Sequence, residues 1–282
     1  MTSGKTNEDR NTIHGQTEDC AEPCHVALAS GDPRRGPISR ADIAAQAWSA
    51  LNHDQFDYVF RVIRSVEVPT TVLYRRCIVR LRMGDDQAVF NELAWNVVLN
   101  QTGLRRAVDH HILVHVIDWL RLNPTLYLSV SLGTQSLVLD TWWRHVFMTL
   151  LRAPSVAPRL TVGIPELGPV RIGSSGRLVE RLKQLGCRVA VVDYRGQREG
   201  ATYAGAFQPD VIELDASLLT DELTDTDVQD RLADMIGLAQ AHAHDVVVTG
   251  ARDAADVAVT RRAGAHWIEG ELVEPFSPAM SW

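Results

Sequence analysis

Residues 186–215 read Gly-Cys-Arg-Val-Ala-Val-Val-Asp-Tyr-Arg-Gly-Gln-Arg-Glu-Gly-Ala-Thr-Tyr-Ala-Gly-Ala-Phe-Gln-Pro-Asp-Val-Ile-Glu-Leu-Asp. Two mainly apolar runs, 189–192 and 211–214, are each followed by an acid, Asp193 and Asp215. Short apolar runs separated by a loop and a small-residue segment are typical of strands buried on both faces of a parallel sheet. An acid at the carboxyl end of such a strand lies at the edge where α/β barrels carry their chemistry.

The rest of the chain repeats this alternation of strands and helices. Ser39 is a candidate helix cap. The many strand–helix units predict an α/β fold, a TIM-like (β/α)8 barrel rather than an open sheet. Helices are predicted at 41–52, 85–103, 108–120, 142–151, 177–185, 227–243 and 253–263. Strands outside the quoted stretch are predicted at 56–63, 71–81, 126–132, 159–164, 246–249 and 266–269.

Composition limits the class of protein. The 282 residues include 45% hydrophobic and 22% charged residues, ordinary values for a globular domain. The net charge of −7 argues against a nucleic-acid partner. No apolar run approaches the roughly 20 residues of a membrane span, and no signal peptide pattern opens the chain. We therefore predict a cytoplasmic protein with no membrane partner.

The N-terminal 40 residues differ in composition from the rest. They are rich in polar residues, Gly and Pro, so we predict a disordered tail at 1–40 and a barrel domain at 41–282. Cys20, Cys24 and His25 suggest zinc, but no second ligand pair follows nearby. The four cysteines, which also include Cys77 and Cys187, are too scattered for a disulfide framework. A reduced tail is the favoured interpretation, and neither a metal nor a cofactor is predicted.

Several segments, collinear over roughly residues 55 to 275, carry a family resemblance. Residues 56–60, Phe-Asp-Tyr-Val-Phe, resemble a first strand, and Gln101-Thr102-Gly103 resembles a Glu-Thr-Gly motif. Residues 108–113, Val-Asp-His-His-Ile-Leu, resemble an Ile-Asp-Arg-Trp-Val-Leu motif, and Gly264 and Gly270 bracket the last strand. In order and spacing the chain resembles the EAL family of cyclic di-GMP phosphodiesterases, which implies an EAL-type barrel.

The resemblance also places the family's catalytic motifs on this sequence. The Glu-Ala-Leu-Leu-Arg signature falls on residues 76–80, Arg-Cys-Ile-Val-Arg, and Asp-Asp falls on Val192-Asp193. The family's Lys-Ile-Asp falls on Glu213-Leu214-Asp215, and its Glu-Gly-Val-Glu begins at Thr249. The family's Ser-Val-Asn-Leu-Ser falls on residues 129–133, Ser-Val-Ser-Leu-Gly, and its Leu-Glu-Ile-Thr-Glu falls on residues 162–166, Val-Gly-Ile-Pro-Glu. The resemblance therefore implies that the positions of four metal-binding residues are occupied by Arg76, Ser131, Gly163 and Val192.

Hard divalent ions need several oxygen ligands, so this set implies that hydrolysis by the family mechanism is absent. Two interpretations of the remaining arginines stay open. Arg76 and Arg80 lie on one face of a strand and, with Arg61 and Asp193, form a candidate site around the phosphates of cyclic di-GMP. Alternatively, the arginines pair with acids across the barrel mouth, and this interpretation is slightly favoured. The acids expected there are Glu213, Asp215 and Glu166.

The resemblance leads to three functional hypotheses. The first is a non-catalytic bacterial regulatory protein that binds a signalling or regulatory protein, with a homodimer as a further arrangement. The second is a metal-independent receptor for cyclic di-GMP. The third, an enzyme of different chemistry, is supported only by the acids Asp193, Asp215 and Glu269. Outside these hypotheses, His111 and His115 stand one helical turn apart as a candidate ligand pair, for which packing is the favoured role.

Overall fold

The computed structural model describes residues 39–81, 92–166, 172–196, 198–219, 225–270 and 277–278. The predicted tail, with Cys20, Cys24 and His25, lies outside the described residues except for Ser39 and Arg40. These two residues belong to the start of the first helix.

The first helix, α1, spans Arg40–His53 and begins as predicted. The hydroxyl of Ser39 accepts a hydrogen bond from the Asp42 N–H, and the Asp42 carboxylate accepts one from the Ser39 N–H. This reciprocal capping box satisfies two backbone donors that a helix start otherwise leaves unpaired. The helix ends at Asp54, whose backbone is left-handed with φ of 54°.

The remaining elements follow the predicted alternation. The strands are β1 Phe56–Ser65, β2 Val72–Leu81, β3 Leu128–Ser131, β4 Leu160–Pro165, β5 Arg188–Tyr194, β6 Val211–Leu214, β7 Asp245–Ala251, β8 Trp267–Gly270 and β9 Ser277–Pro278. The further helices are α2 Glu92–Thr102, α3 Arg105–Leu122, α4 Thr141–Arg152, α5 Ile172–Gln184, α6 Arg198–Phe207, α7 Asp225–Gln240 and α8 Ala254–Arg262. The part of the second predicted helix before residue 92 lies outside the described residues.

The predicted barrel is confirmed. Strands β2 to β8 pair in sequence order, all parallel, and β1 closes the ring by pairing with both β2 and β8. β1 runs antiparallel to both neighbours, since it forms a hairpin with β2. The two-residue β9 pairs antiparallel with Val59 and Phe60 of β1.

Burial follows from this closure. Every residue of β6 is buried, as are five of the six residues of β4, because helices cover the outside and side chains fill the lumen. Trp95 and Trp143 are buried as expected for packing residues. No helix within the described ranges has the length and apolarity to cross a bilayer.

Two helices differ from the sequence prediction. The segment between β5 and β6, predicted as a loop and a small-residue stretch, contains α6. α5 begins at Ile172, five residues earlier than the predicted 177. Glycines in both segments, and serines in α5, weaken helix propensity, and packing against neighbouring elements overrides this weakness.

Candidate functional site

A cavity of about 330 Å³ opens at the carboxyl ends of β2 to β5. Helices α2 and α3 form its outer wall through Asn96 and Arg105, among other residues. Arg76, Ser131 and Asp193 line it from the strands. This edge of a parallel barrel is where ligands bind in α/β barrels, so the cavity, called the mouth cavity below, is the candidate site.

Arg76 is the central charge of the mouth cavity. Its Nη2 donates a hydrogen bond to Glu213 Oε2 from β6 and lies 2.9 Å from Glu269 Oε2 of β8. The three side chains are 14%, 2% and 1% exposed. One guanidinium therefore joins strands on opposite sides of the barrel, and water is largely excluded from the pair.

Burial and the neighbouring charges shift the pKa values of Arg76 and Glu213. Burial alone would lower the pKa of Arg76, but the carboxylates of Glu213 and Glu269 raise it further than burial lowers it. Burial raises the pKa of Glu213, and Arg76 offsets only part of that increase. The arginine is therefore cationic at any accessible pH, and its positive charge is balanced within the lumen.

Two further side chains complete this lumen network. The Tyr74 hydroxyl donates to Glu213 Oε1 at 2.5 Å. Arg61 Nη1 of β1 donates to Glu269 Oε1 at 3.2 Å. Arg61 lies directly opposite Arg76 in the β1–β2 pair, so the shared acid Glu269 offsets the repulsion between two facing cations.

Asp193 stands at the rim with an unusual backbone. It has φ of 57° at the end of β5, where the β5–β6 register is interrupted. A left-handed conformation costs free energy for a residue with a side chain, although Asp tolerates it better than most. Desolvation of its carboxyl group raises the pKa of Asp193. Arg76 lowers that pKa, and Asp215 raises it. The bulge directs the chain so that Asp193 lines the mouth cavity.

Three acids were expected to pair with the arginines of β1 and β2, and the structure shows this pairing for one of them. Glu213 binds Arg76 as predicted. Asp215 instead binds Arg195, with 2.9 Å between Oδ2 and Nε, and it accepts the Ser217 N–H at 2.8 Å. Glu166 accepts the backbone N–H of Arg195. That pairing prediction was therefore wrong for Asp215, because the β5–α6 loop brings Arg195 to it, and the same loop also contacts Glu166.

Three of the positions matched to family metal ligands do come together in space. Ser131 and Gly163 are direct neighbours in the β3–β4 pair. A Cβ added to Gly163 would lie 3.0 Å from both Ser131 Oγ and Val192 Cγ1. The space around Gly163 is therefore already occupied by a hydroxyl and a methyl group. This donor set does not fit a hard divalent ion, which prefers several carboxylate or carbonyl oxygens.

Thr249 also has a structural partner. Its hydroxyl donates to the Leu214 carbonyl at 2.7 Å and is buried. This hydrogen bond links β7 to β6 at the residue that precedes Asp215.

Asp109 of α3 fixes one side of the mouth cavity. It is fully buried and accepts hydrogen bonds, all at 2.7 Å, from Arg105 Nε, the Gly133 N–H and the Ser136 hydroxyl. Burial raises the pKa of Asp109, and Arg105 and the hydrogen bonds counter that increase. Asp109 thus anchors the turn that follows β3, where Ser131 and Gly133 line the cavity.

Of the four residues predicted to bind a ligand, two line the mouth cavity. Arg76 and Asp193 line the mouth cavity, whereas Arg61 and Arg80 are not among the described residues that line it. Arg80 lies opposite Asp57 of β1, on the same strand face as Arg76. The sequence analysis did not predict that Glu269 pairs with Arg61 and Arg76, or that Asp109 holds the turn after β3. The sequence signal for both acids was their position within an apolar segment.

Comparison with known proteins agrees with the fold. The family model described as the EAL domain matches residues 44–275, and the chain belongs to the EAL domain family. No curated protein is significantly similar to it in sequence.

Solved structures with the same fold include EAL domains crystallised with a nucleotide. The Xanthomonas citri FimX EAL domain in complex with c-diGMP is 17% identical, with a TM-score of 0.72 over 86% of this chain and 96% of that one. The Pseudomonas aeruginosa FimX EAL domain bound to c-di-GMP is 19% identical, with a TM-score of 0.72 over 84% and 96%. A Vibrio cholerae LapD S helix-GGDEF-EAL chain bound to c-di-GMP is 18% identical, with a TM-score of 0.73 over 86% and 59%.

Proposed function

We propose that this chain is a non-catalytic EAL domain with a regulatory role, acting through contact with a protein partner. The observation that carries the proposal is the ion pair between Arg76 and Glu213. Arg76 matches an acid of the family signature, and Glu213 matches the family's lysine. In this motif match both positions carry a charge opposite to the family's, and in this chain they form a buried ion pair where the family signature supplies a metal ligand.

The electrostatics support the non-catalytic part of the proposal. A divalent cation beside Arg76 would be repelled by the guanidinium, which is held by two carboxylates. The neighbouring positions Ser131, Gly163 and Val192 offer only one hydroxyl oxygen among their side chains. Asp193 and Asp215 are thus the acids that remain around the matched ligand set, and two-metal hydrolysis needs two clusters of ligands.

The outer surface supports contact with a protein partner. Leu139, Met148 and Leu151 are 41%, 46% and 51% exposed and line a groove of about 640 Å³ between α4 and α5. Charged residues of both signs also line this groove: Arg144, Arg177, Arg181, Asp140 and Glu180. Exposed apolar side chains flanked by such charges suit a partner segment with an apolar face and a polar rim. A cytoplasmic regulator of this kind could bind another signalling protein or a second copy of the chain.

The second candidate function is a metal-independent cyclic di-GMP receptor. The observation that favours it is the mouth cavity, which Arg76 lines and which coincides with the edge where barrels bind ligands. The solved EAL domains that contain this nucleotide make it the ligand to test. Arg80, Arg61 and Asp193 are the further residues proposed to contact it.

Calorimetric titration of cyclic di-GMP, with and without magnesium, separates the two candidates. The protein-binding proposal expects no binding at millimolar nucleotide under either condition. The receptor proposal expects binding without magnesium, and Arg80→Ala should then weaken it by about 1.5–3 kcal/mol, the scale of a charge-assisted hydrogen bond. Arg144→Ala, on the distant groove, is the control that should leave nucleotide affinity unchanged. Tight binding unaffected by Arg80→Ala and Arg76→Ala would contradict the placement of the site.

A further inference from the structure

On the outside of the barrel, the end of α1 meets the middle of α3 through three polar side chains. Asp54 Oδ1 lies 2.9 Å from His111 Nε2 and 3.4 Å from His115 Nε2. The three ligand atoms all lie within 4.8 Å of one another. We propose that Asp54, His111 and His115 form a binding site for a divalent transition ion of the zinc type, independent of the proposed function.

The spacing fits such an ion. Zinc binds His nitrogen and carboxylate oxygen at about 2.0–2.2 Å in tetrahedral geometry, which places ligand atoms about 3.3 Å apart. Both distances to Asp54 are close to that value. His111 and His115 are four residues apart on α3, so the helix itself brings both rings to one face. Two imidazoles and one carboxylate are a donor set that zinc accepts, with a fourth position left for water.

The hydrogen bonds of His115 leave its ligand atom available. His115 Nδ1 lies 2.9 Å from the His111 carbonyl oxygen, and the tautomer that donates there carries a lone pair on Nε2. A backbone carbonyl that holds the far nitrogen of a histidine is a common support for a metal ligand. The helix therefore both positions this ring and selects the tautomer that binds metal.

Two buried polar atoms at or beside the cluster make no well-aligned hydrogen bond among the described residues, although Asp54 Oδ1 lies 2.9 Å from one of them. These are His111 Nε2 and the hydroxyl of Tyr58. The Tyr58 ring stacks on His115, with ring centroids 5.3 Å apart. A buried polar atom without a well-aligned partner is costly, and an ion bound by His111 Nε2 would satisfy that atom.

Asp54 is directed into the cluster by a specific backbone conformation. It is the C-cap of α1, with φ of 54° and ψ of 46°. Glycine is the commonest residue in this conformation, and Asp is among the few others that tolerate it, so the cap also places the Asp54 carboxylate beside the two imidazoles. An ion at this position would link α1 to α3 and stabilise their packing on the barrel.

The test is zinc titration of the full chain, prepared without a polyhistidine tag, with Co²⁺ as a spectroscopic probe. We expect one ion at this site, a tetrahedral Co²⁺ spectrum and a higher melting temperature with metal. Asp54→Asn keeps a residue that tolerates the left-handed backbone, and His115→Ala removes one imidazole. Each should weaken binding more than about 100-fold, beyond the loss caused by a supporting residue. The control His145→Ala changes an exposed histidine of α4 and should have no effect.

A Cys20→Ser/Cys24→Ser variant separates this site from a site in the N-terminal segment. We expect the ion bound by the cluster to persist in that variant. Circular dichroism and melting without metal establish that each variant folds. Absence of zinc binding, binding unchanged by both Asp54→Asn and His115→Ala, or binding lost with the two cysteines would overturn the proposal.

Discussion

The guanidinium of Arg76 donates a hydrogen bond to the carboxylate of Glu213 across the barrel lumen. The two residues are 137 positions apart and come from strands that are not neighbours. The proposed motif match places each of them on a family position of opposite charge. A buried pair of this kind adds little net stability, but loss of either partner leaves a charge buried without compensation.

Arg76→Met should therefore destabilise the fold by about 3–5 kcal/mol, because Glu213 loses its cation and Glu269 keeps only Arg61. Urea unfolding followed by circular dichroism measures this loss. Arg75→Met, the neighbour whose side chain points away from the lumen, should cost no more than about 1 kcal/mol. The double variant Arg76→Met/Glu213→Gln should lose less than the sum of its parts. Equal losses for the two arginine variants would show that the lumen pair is not buried as described.

Glu213→Gln should change how stability depends on pH. Burial raises the pKa of Glu213, and Arg76 offsets only part of that increase. Such a carboxyl group binds more protons in the folded than in the unfolded protein. Its protonated form therefore favours folding, and this contribution disappears as pH rises from about 4.3 towards the raised folded pKa. The wild type should lose stability relative to Glu213→Gln across that window. Urea midpoints at a series of pH values provide the comparison, and an opposite slope would refute the raised pKa.

Asp109→Ala should destabilise the protein by about 3 kcal/mol, because it leaves Arg105, the Gly133 N–H and the Ser136 hydroxyl without their acceptor. Asp118→Ala on the same helix is the matched control. Asp118 is 54% exposed and pairs with Arg121 at the surface, so its loss should cost less than about 1 kcal/mol. Thermal and urea unfolding of both variants test the difference. If the two variants were equally stable, Asp109 would not anchor the turn after β3.

The cysteines of the barrel should be unreactive while the protein is folded. Burial raises the pKa of Cys187 to about 12 and also raises the pKa of Cys77, and both thiols are buried. Because the thiolate is the reactive form, neither should react with a thiol reagent at neutral pH. In a Cys20→Ser/Cys24→Ser variant, labelling should be negligible in buffer and should reach two thiols per chain in denaturant. Rapid labelling of the folded variant would contradict this burial.

Local pattern was sufficient for much of the fold. The buried runs of β4, β5 and β6 and the cap at Ser39 follow from residue type and spacing, so barrel and helix start were both predictable. The helix α6 was not, since its two glycines lower its intrinsic helix propensity and its helical structure depends on packing. The pair of Arg76 with Glu213 was also foreseen from the strand ends. Its third member, Glu269, required the closure of the barrel, which short-range sequence patterns do not encode.

The ligand cluster on the outer face shows the same limit. His111 and His115 are visible in the sequence as a helical pair. Asp54 joins them only because α1 packs against α3 and ends in a left-handed residue. Contacts between elements distant in sequence depend on register and packing angle, so the third ligand could not be read from spacing alone.

The most direct test of the central claim, that Arg76 and Glu213 replace catalytic function with a structural ion pair, is an assay for cyclic di-GMP hydrolysis. Purified protein is incubated with the nucleotide and either Mg²⁺ or Mn²⁺, and the linear dinucleotide is quantified by chromatography. The account predicts no product above the metal-free control. Product that increases with protein concentration, requires the metal and disappears in the Asp193→Ala variant would contradict it.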